Sequence, residues 1–235
     1  MFEPVMLVSL GPGDPELITL KGLKALQQAD AIFCPSTIHP NGSISSRAKD
    51  ILLELNIDED KIISFHVPMN KDRTNAVKAY NDVSERIAEQ CRKGRKIAVT
   101  AEGDAGFYSS IHYISDNLHS QNIPTRKIAG IPAFIASGTL ANLHIARQEE
   151  ELIVIPGITT CEKLKKNVEE GKSIVIMKPS QCEDIIKKIL CEEDISFHYF
   201  ENVGVPQKEF YTKNKEEIRN CTFPYFSLLI IQKNN

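Results

Sequence analysis

Three glycine-containing turns hold residue types that could meet a ligand, and the first two directly follow short apolar runs. They are Gly11-Pro12-Gly13-Asp14-Pro15, Glu102-Gly103-Asp104-Ala105-Gly106-Phe107-Tyr108-Ser109-Ser110, and Gly130-Ile131-Pro132-Ala133. Glycine lets a ligand approach the backbone, and proline stiffens the turn. Asp104 could accept hydrogen bonds from ribose-type hydroxyls. Equally, Asp104 or Ser109 could only cap the next helix, the first turn could be purely structural, and the third could serve close helix packing. The first turn is not a dinucleotide loop. Its third glycine would fall at Glu16, and the second strand ends in Phe33-Cys34-Pro35 with no acidic residue for a ribose. No Gly-Lys-Ser/Thr is present, which excludes a Walker loop. Two such loops at the carboxyl ends of strands in one sheet point to a ligand site, because open α/β sheets bind ligands there.

The elements that must hold these turns can be read from periodicity. Apolar runs predict strands at 5–10, 31–33, 62–65 and 96–101, and helical spacing predicts helices near 20–29, 47–56, 74–93 and 107–118. Residues 36–46 are polar and rich in turn formers, which predicts a loop. Thr19 is placed to cap the first helix. Alternating β and α with short connections predicts a parallel sheet flanked by helices. The chain turns polar at Ser120-Gln121-Asn122, so the expected division is an N-terminal α/β domain, 1–120, and a C-terminal α/β domain, 121–235. In the second domain, strands fit 126–129, 152–155, 173–177, 196–200 and 226–231, and helices fit 133–143, 159–170 and 182–192. From Ile195 the helix alternation is lost, which predicts a mixed sheet with an antiparallel portion. A cleft between two such domains is the usual place for a small-molecule site.

Composition narrows the function. With 235 residues, 42% of them hydrophobic and 25% charged, the chain can bury a core without metal or disulfide. A net charge of -3 argues against nucleic-acid and membrane-surface partners. No run approaches the length of a membrane span, and the N-terminal segment lacks the pattern of a signal peptide. Cys34, Cys91, Cys161, Cys182, Cys191 and Cys221 form no CxxC pair, which predicts reduced, mostly buried thiols, no zinc site and a cytoplasmic location.

The segments GPGDPELITLKGLKAL (11–26), EGDAGFYSS (102–110), GIPA (130–133), VIPG (154–157) and IVIMK (174–178) resemble, in this order and over essentially the whole chain, the tetrapyrrole methylase family. His66-Val67-Pro68-Met69-Asn70-Lys71-Asp72-Arg73 is similar to the PM..DR segment of the branch that methylates carbon 20 of precorrin-2, and Tyr108-Ser109-Ser110 with Tyr113 to its YST..Y stretch. The chain departs from the family pattern at Ala105, where proline is usual, at Pro132, where a hydroxyl residue is usual, at Ile176, and at Lys178, where glycine often stands.

The resemblance implies two α/β domains and methyl transfer from S-adenosylmethionine to carbon 20 of precorrin-2 or cobalt-factor II, without a protein-bound metal. It implies donor contacts at Pro12, Glu102, Gly103, Asp104, Phe107, Ser109, Ser110, Pro132, Ala133, Met177, Gly204 and Tyr225. Arg47, Lys71, Arg73 and Arg147 would hold the acceptor's carboxylates, and Tyr108, His66 and His112 are candidates to move a proton. A solvated surface charge and an ordinary partly buried histidine are the bland readings of those residues. The resemblance also implies a homodimer. Methylation at another ring position, a diphthine synthase-like reaction, ribosomal RNA methylation, and a non-catalytic module that binds donor or tetrapyrrole remain alternatives.

Overall fold

The structure is a computed structural model that describes residues 2–38, 41–68 and 74–232. The chain divides into two compact units, Met1–Pro132 and Ala133–Asn235.

The first unit runs β1 (Val5–Ser9), α1 (Leu20–Gln28), β2 (Ala31–Ile38), β3 (Ile44–Ser45), α2 (Arg47–Glu54), β4 (Ile62–His66), α3 (Thr74–Arg92), β5 (Ile97–Ala101), α4 (His112–Ser120) and β6 (Thr125–Ile128). Among the described residues its sheet has six strands in the order β3-β2-β5-β1-β6, with β4 also paired to β2. The β4, β2, β5, β1 and β6 pairings are parallel, and only β3 joins antiparallel. Strands buried on both faces read as continuous apolar runs, and β1 and β5 do so. Leu7, Phe33 and Val99 pack with Val83, Ile87 and Cys91 of α3 and with Ile114 and Leu118 of α4. Val8, Ile32 and Ala98 pack on the other face with Leu26 of α1 and with Ala48, Ile51 and Leu52 of α2. The parallel sheet with helices on both faces is the expected architecture.

Three expectations fail in this unit, each for a local reason. The polar stretch 36–46 is not all loop, because β2 continues to Ile38 and pairs with β3. Pairing with β4 carries it past Pro35, and β5 pairs only as far as Phe33, so no ladder bond needs the missing proline N–H on that side. The helix placed at 107–118 starts only at His112, because Tyr108 takes a left-handed backbone with φ 48°. The boundary at 120 falls too early. β6 pairs with β1 (Val5 opposite Thr125, Val8 opposite Ile128), so the strand after the polar turn completes the first sheet.

The second unit runs α5 (Ala133–Leu140), β7 (Leu152–Ile155), α6 (Cys161–Glu169), β8 (Ser173–Met177), α7 (Glu183–Glu192), β9 (Ser196–Glu201), β10 (Phe210–Thr212), α8 (Lys215–Asn220) and β11 (Ser227–Gln232). Its sheet has the order β10-β9-β11-β8-β7. β7 and β8 are parallel, and the other pairs are antiparallel, as the lost alternation implied. Ile174, Ile176, Phe197, Tyr199, Leu229 and Ile231 form one core with Leu164, Ile186, Ile189 and Ile218 of the helices. β10 and α8 are too short to show in the sequence pattern. Cys34, Cys91 and Cys182 are buried, Cys161 and Cys221 are half-buried, and Cys191 is exposed. No helix among the described residues is long and apolar enough to cross a membrane.

Candidate active site

β1 lies between β5 and β6, so the loops leaving their carboxyl ends emerge side by side. Hydrogen bonds tie these loops together. The Gly11 N–H donates to the Gly103 carbonyl (3.1 Å), and the Gly103 N–H donates back to Gly11 (2.7 Å). The Asp104 carboxylate accepts from the Gly106 N–H at Oδ1 (2.8 Å) and from the Gly130 N–H at Oδ2 (2.7 Å). Ser9 Oγ donates to the Ile128 carbonyl (2.6 Å) and accepts from the Ala105 N–H (2.8 Å). Thr19 caps α1 as expected, accepting from the Gly22 N–H at 3.1 Å. Its hydroxyl also lies 3.4 Å from the Ala129 carbonyl.

Two glycines in this cluster do different work. A Cβ on Gly130 would lie 2.3 Å from the Ser9 Cβ and 2.8 Å from the Gly103 carbonyl oxygen, so Gly130 serves close packing. Gly103 has φ +70° and nothing within 4 Å of where its Cβ would stand. A left-handed backbone beside open space is where a ligand can meet main-chain polar groups.

Around this cluster stand the predicted side chains. Arg47, expected to hold the acceptor, donates from Nη2 to the Pro12 carbonyl at 2.7 Å and so braces the first glycine turn. Burial pushes the Glu102 carboxyl up, Arg47 pulls it down, and Asp50 pushes it up again. Phe107 meets the Tyr108 ring edge-on at 4.7 Å, and Tyr108 is 52% exposed. Ser109 accepts from the Ile111 N–H through its hydroxyl (3.4 Å). Its carbonyl lies 3.0 Å from His112 Nδ1. A carbonyl only accepts, which assigns the proton to Nδ1 and leaves Nε2 as a lone pair in the neutral ring. The His112 ring lies against Tyr113 (4.0 Å), Tyr113 stacks on Tyr80 (5.3 Å), and Tyr80 meets Phe65 edge-on (6.2 Å). His66 ends β4, with Nδ1 2.7 Å from Ser36 Oγ, whose proton goes to the Phe65 carbonyl. Ser110 is exposed beside them, and Pro132 ends the unit. Lys71 and Arg73 lie outside the described residues.

In the second unit, Met177, Gly204 and Tyr225 sit at one end of the sheet, where β8 and β9 end and β11 begins. Several backbones there are left-handed: Lys178 (φ 53°), Asn202 (φ 48°) and Gly204 (φ 82°). The Gly204 N–H donates to the Glu209 carboxylate (2.6 Å), and the Asn202 N–H donates to the Phe226 carbonyl (2.8 Å). Ala133 opens α5. Arg147 is exposed in a turn, and its N–H donates to the Glu150 carboxylate (2.8 Å).

Sequence reasoning missed Ser9, whose signal was present: a serine closing an otherwise apolar strand and fully buried there. It also missed Asp50 and Tyr80, which stand on ordinary amphipathic helices and carry no local mark.

The sequence model for tetrapyrrole (corrin/porphyrin) methylases matches residues 4–219. The chain is 29% identical to the precorrin-2 C(20)-methyltransferase of a Sinorhizobium species over 229 residues, covering 95% of this chain and 93% of that one. It is 26% identical over 234 residues to a Methanocaldococcus jannaschii protein named probable cobalt-precorrin-2 C(20)-methyltransferase, covering 99% and 97%. Its fold is similar to uroporphyrin-III C-methyl transferase from Thermus thermophilus complexed with S-adenosyl homocysteine, with a TM-score of 0.67, 17% identity, and coverage of 98% and 97%.

Proposed function

The chain belongs to the tetrapyrrole methylase family, and from that premise we propose that it transfers a methyl group from S-adenosylmethionine to carbon 20 of precorrin-2 or cobalt-factor II. The observation that carries this reading is the open, left-handed Gly103 inside a cluster of three interlocked loops, in a chain that aligns end to end with C(20)-methyltransferases. The donor fits those residues. It is a zwitterion with ribose hydroxyls, and the loops offer main-chain donors and acceptors, the Ser109 and Ser110 hydroxyls, and the Glu102 carboxyl.

S-adenosylmethionine supplies a methyl group on a sulfonium, already activated for in-line displacement. The protein's part is to align the donor carbon with the acceptor carbon and keep water out. Pro12, Gly103 and Phe107 line the donor, with Pro132 and Ala133 closing the third loop around it. Asp104 acts in the first place on its own backbone. Two N–H groups already occupy one direction on each carboxylate oxygen, so what it presents to the donor is loop shape plus the remaining lone pairs. Met177, Gly204 and Tyr225 are the donor contacts proposed on the second unit. Lys71 and Arg73 hold acceptor carboxylates, Arg73 through a planar fork. Arg47, also proposed for the acceptor, braces the first donor loop through the Pro12 carbonyl.

As the bond from methyl to carbon 20 forms, the bond from methyl to sulfur breaks and the carbon loses its proton. Either histidine can take that proton: Nδ1 is committed to the Ser109 carbonyl in His112 and to the Ser36 hydroxyl in His66, which leaves Nε2 as the acceptor in the neutral ring, and both residues are exposed. We also propose a homodimer, which light scattering would contradict with a mass near 26.3 kDa.

The test is anaerobic incubation with methyl-labelled S-adenosylmethionine and either acceptor, followed by mass spectrometry and carbon NMR. One labelled methyl on carbon 20 per S-adenosylhomocysteine released supports the reading. Label at another ring position assigns a different branch. Tight donor binding with no S-adenosylhomocysteine released makes the chain a binding module.

A further inference from the structure

We propose that Lys178 is an anion subsite of the second unit that binds a peripheral carboxylate of the tetrapyrrole acceptor, and so sets acceptor affinity more strongly than donor affinity. The identity of the acceptor rests on the methyl-transfer reading above. The subsite itself rests on geometry within the unit.

Lys178 follows Met177 at the end of β8 and takes φ 53°, ψ 53°. A side chain is strained in this left-handed conformation, and glycine is not. The turn has no use for the lysine side chain. The Lys178 N–H donates to the Ser227 carbonyl (3.3 Å) and its carbonyl accepts from the Gln181 N–H (3.1 Å), both main-chain bonds that glycine would make equally well. What the strain gains is therefore the position of the ammonium.

That position is defined. Lys178 Nζ lies 5.3 Å over the Tyr225 ring, which stands edge-on to Phe226 at 5.1 Å and is 42% exposed. A ring face holds a cation in place without neutralising it. The other half-buried lysines of this unit meet carboxylates: Lys165 with Glu193 (2.7 Å), Lys172 with Glu170 (2.7 Å) and Lys187 with Glu183 (2.7 Å). Among the described residues Lys178 has no such ion pair. A half-buried ammonium, fixed on an aromatic plane and lacking a carboxylate of its own, is built to receive one from outside. The acceptor class carries many carboxylates around its rim, whereas the donor has one.

The experiment compares the wild-type chain with Lys178→Gly and Lys178→Arg. Acceptor KM is measured in turnover, and binding of uroporphyrin III, a stable polycarboxylate tetrapyrrole, is measured by fluorescence titration. S-adenosylmethionine affinity comes from calorimetry. Lys178→Gly is expected to raise the acceptor KM and the uroporphyrin III Kd about tenfold, the order expected for losing one charge-assisted contact. It should change donor affinity far less, since the proposed donor contacts beside it, Met177 and Tyr225, are retained, with a thermal midpoint no lower than wild type, because glycine adopts the turn without strain. Lys178→Arg should retain most of the uroporphyrin III affinity. An unchanged uroporphyrin III Kd in the glycine variant overturns the proposal, and so does an equal loss of donor affinity. If the wild-type chain binds uroporphyrin III but methylates neither acceptor, the methyl-transfer reading falls, and the ratio of Kd values still decides the role of Lys178.

Discussion

Where β1 and β5 end, the first unit turns on Gly11 and Gly103 and ties them down, whereas at the end of the second sheet Lys178 and Asn202 make comparable turns with side chains, beside Gly204. Around Gly11 and Gly103, reciprocal main-chain bonds, the Asp104 carboxylate and the Ser9 hydroxyl join three loops into one piece. At the end of the second sheet, Lys178 and Asn202 take the left-handed conformation themselves. Where a ligand is to be met by backbone, glycine removes the obstruction and the neighbours must supply the rigidity. Where it is to be met by a side chain, some backbone strain is tolerated to aim that side chain. The first arrangement suits the proposed donor loops, and the second suits the proposed anion subsite at Lys178.

The largest expected effect separates the packed glycine from the open one. Gly130→Ala should lower stability by about 3 kcal/mol, because its Cβ would overlap Ser9 and neither backbone can move freely. Gly103→Ala should cost only the left-handed strain, about 1–2 kcal/mol. Urea unfolding of the two variants measures the difference, and equal losses would dissolve the contrast between packing and open backbone.

Next in size is the clasp. Asp104→Ala removes the acceptor for two N–H groups and should cost about 2 kcal/mol, with faster amide exchange at Gly106 and Gly130. If those amides keep their protection, Asp104 does not tie the loops together. Its effect on donor binding would then be direct contact, the reading that sequence alone suggested.

Tyr108 tests whether strain in the first unit also serves a side chain. Tyr108→Gly relieves a left-handed tyrosine and should raise stability by about 1 kcal/mol while lowering turnover. A variant that is both more stable and fully active would remove Tyr108 from the reaction.

The smallest effect is a pH slope at Glu102. Burial, the dominant influence, raises its carboxyl above the unfolded value. The stability linked to its neutral form is thus present below about pH 4.3, the ordinary glutamate value, and lost as pH rises through the folded-state value. Glu102→Gln should therefore unfold at a higher temperature than wild type at pH 8 and at nearly the same temperature at pH 4. A gain independent of pH would mean that the carboxyl is well solvated.

Much of this was legible in the sequence. Strands β7 and β8 are where their apolar runs place them, and Thr19 caps α1 as its position implied. The glycine turns are legible because φ above zero and close approach leave glycine as the economical residue. The roles within them are not, since the sequence writes Gly103 and Gly130 alike and only the Ser9 side chain and the Gly103 carbonyl, packed against Gly130, distinguish packing from open space. The Asp104 clasp spans 26 residues and the Ser9 bonds span 96 and 119, distances at which local pattern carries no information. The late start of α4 was hidden for a related reason, because a tyrosine at φ 48° is held there by its surroundings and not by propensity.

The account turns on the three interlocked loops of the first unit being the donor seat, and hydrogen exchange tests this most directly. Amide exchange would be followed at residue resolution in the full chain, with and without saturating S-adenosylhomocysteine. Slower exchange confined largely to 10–14, 102–111 and 129–132 in the first unit is the predicted result. Donor binding that leaves those amides exchanging at their free rates, with protection elsewhere, would contradict it.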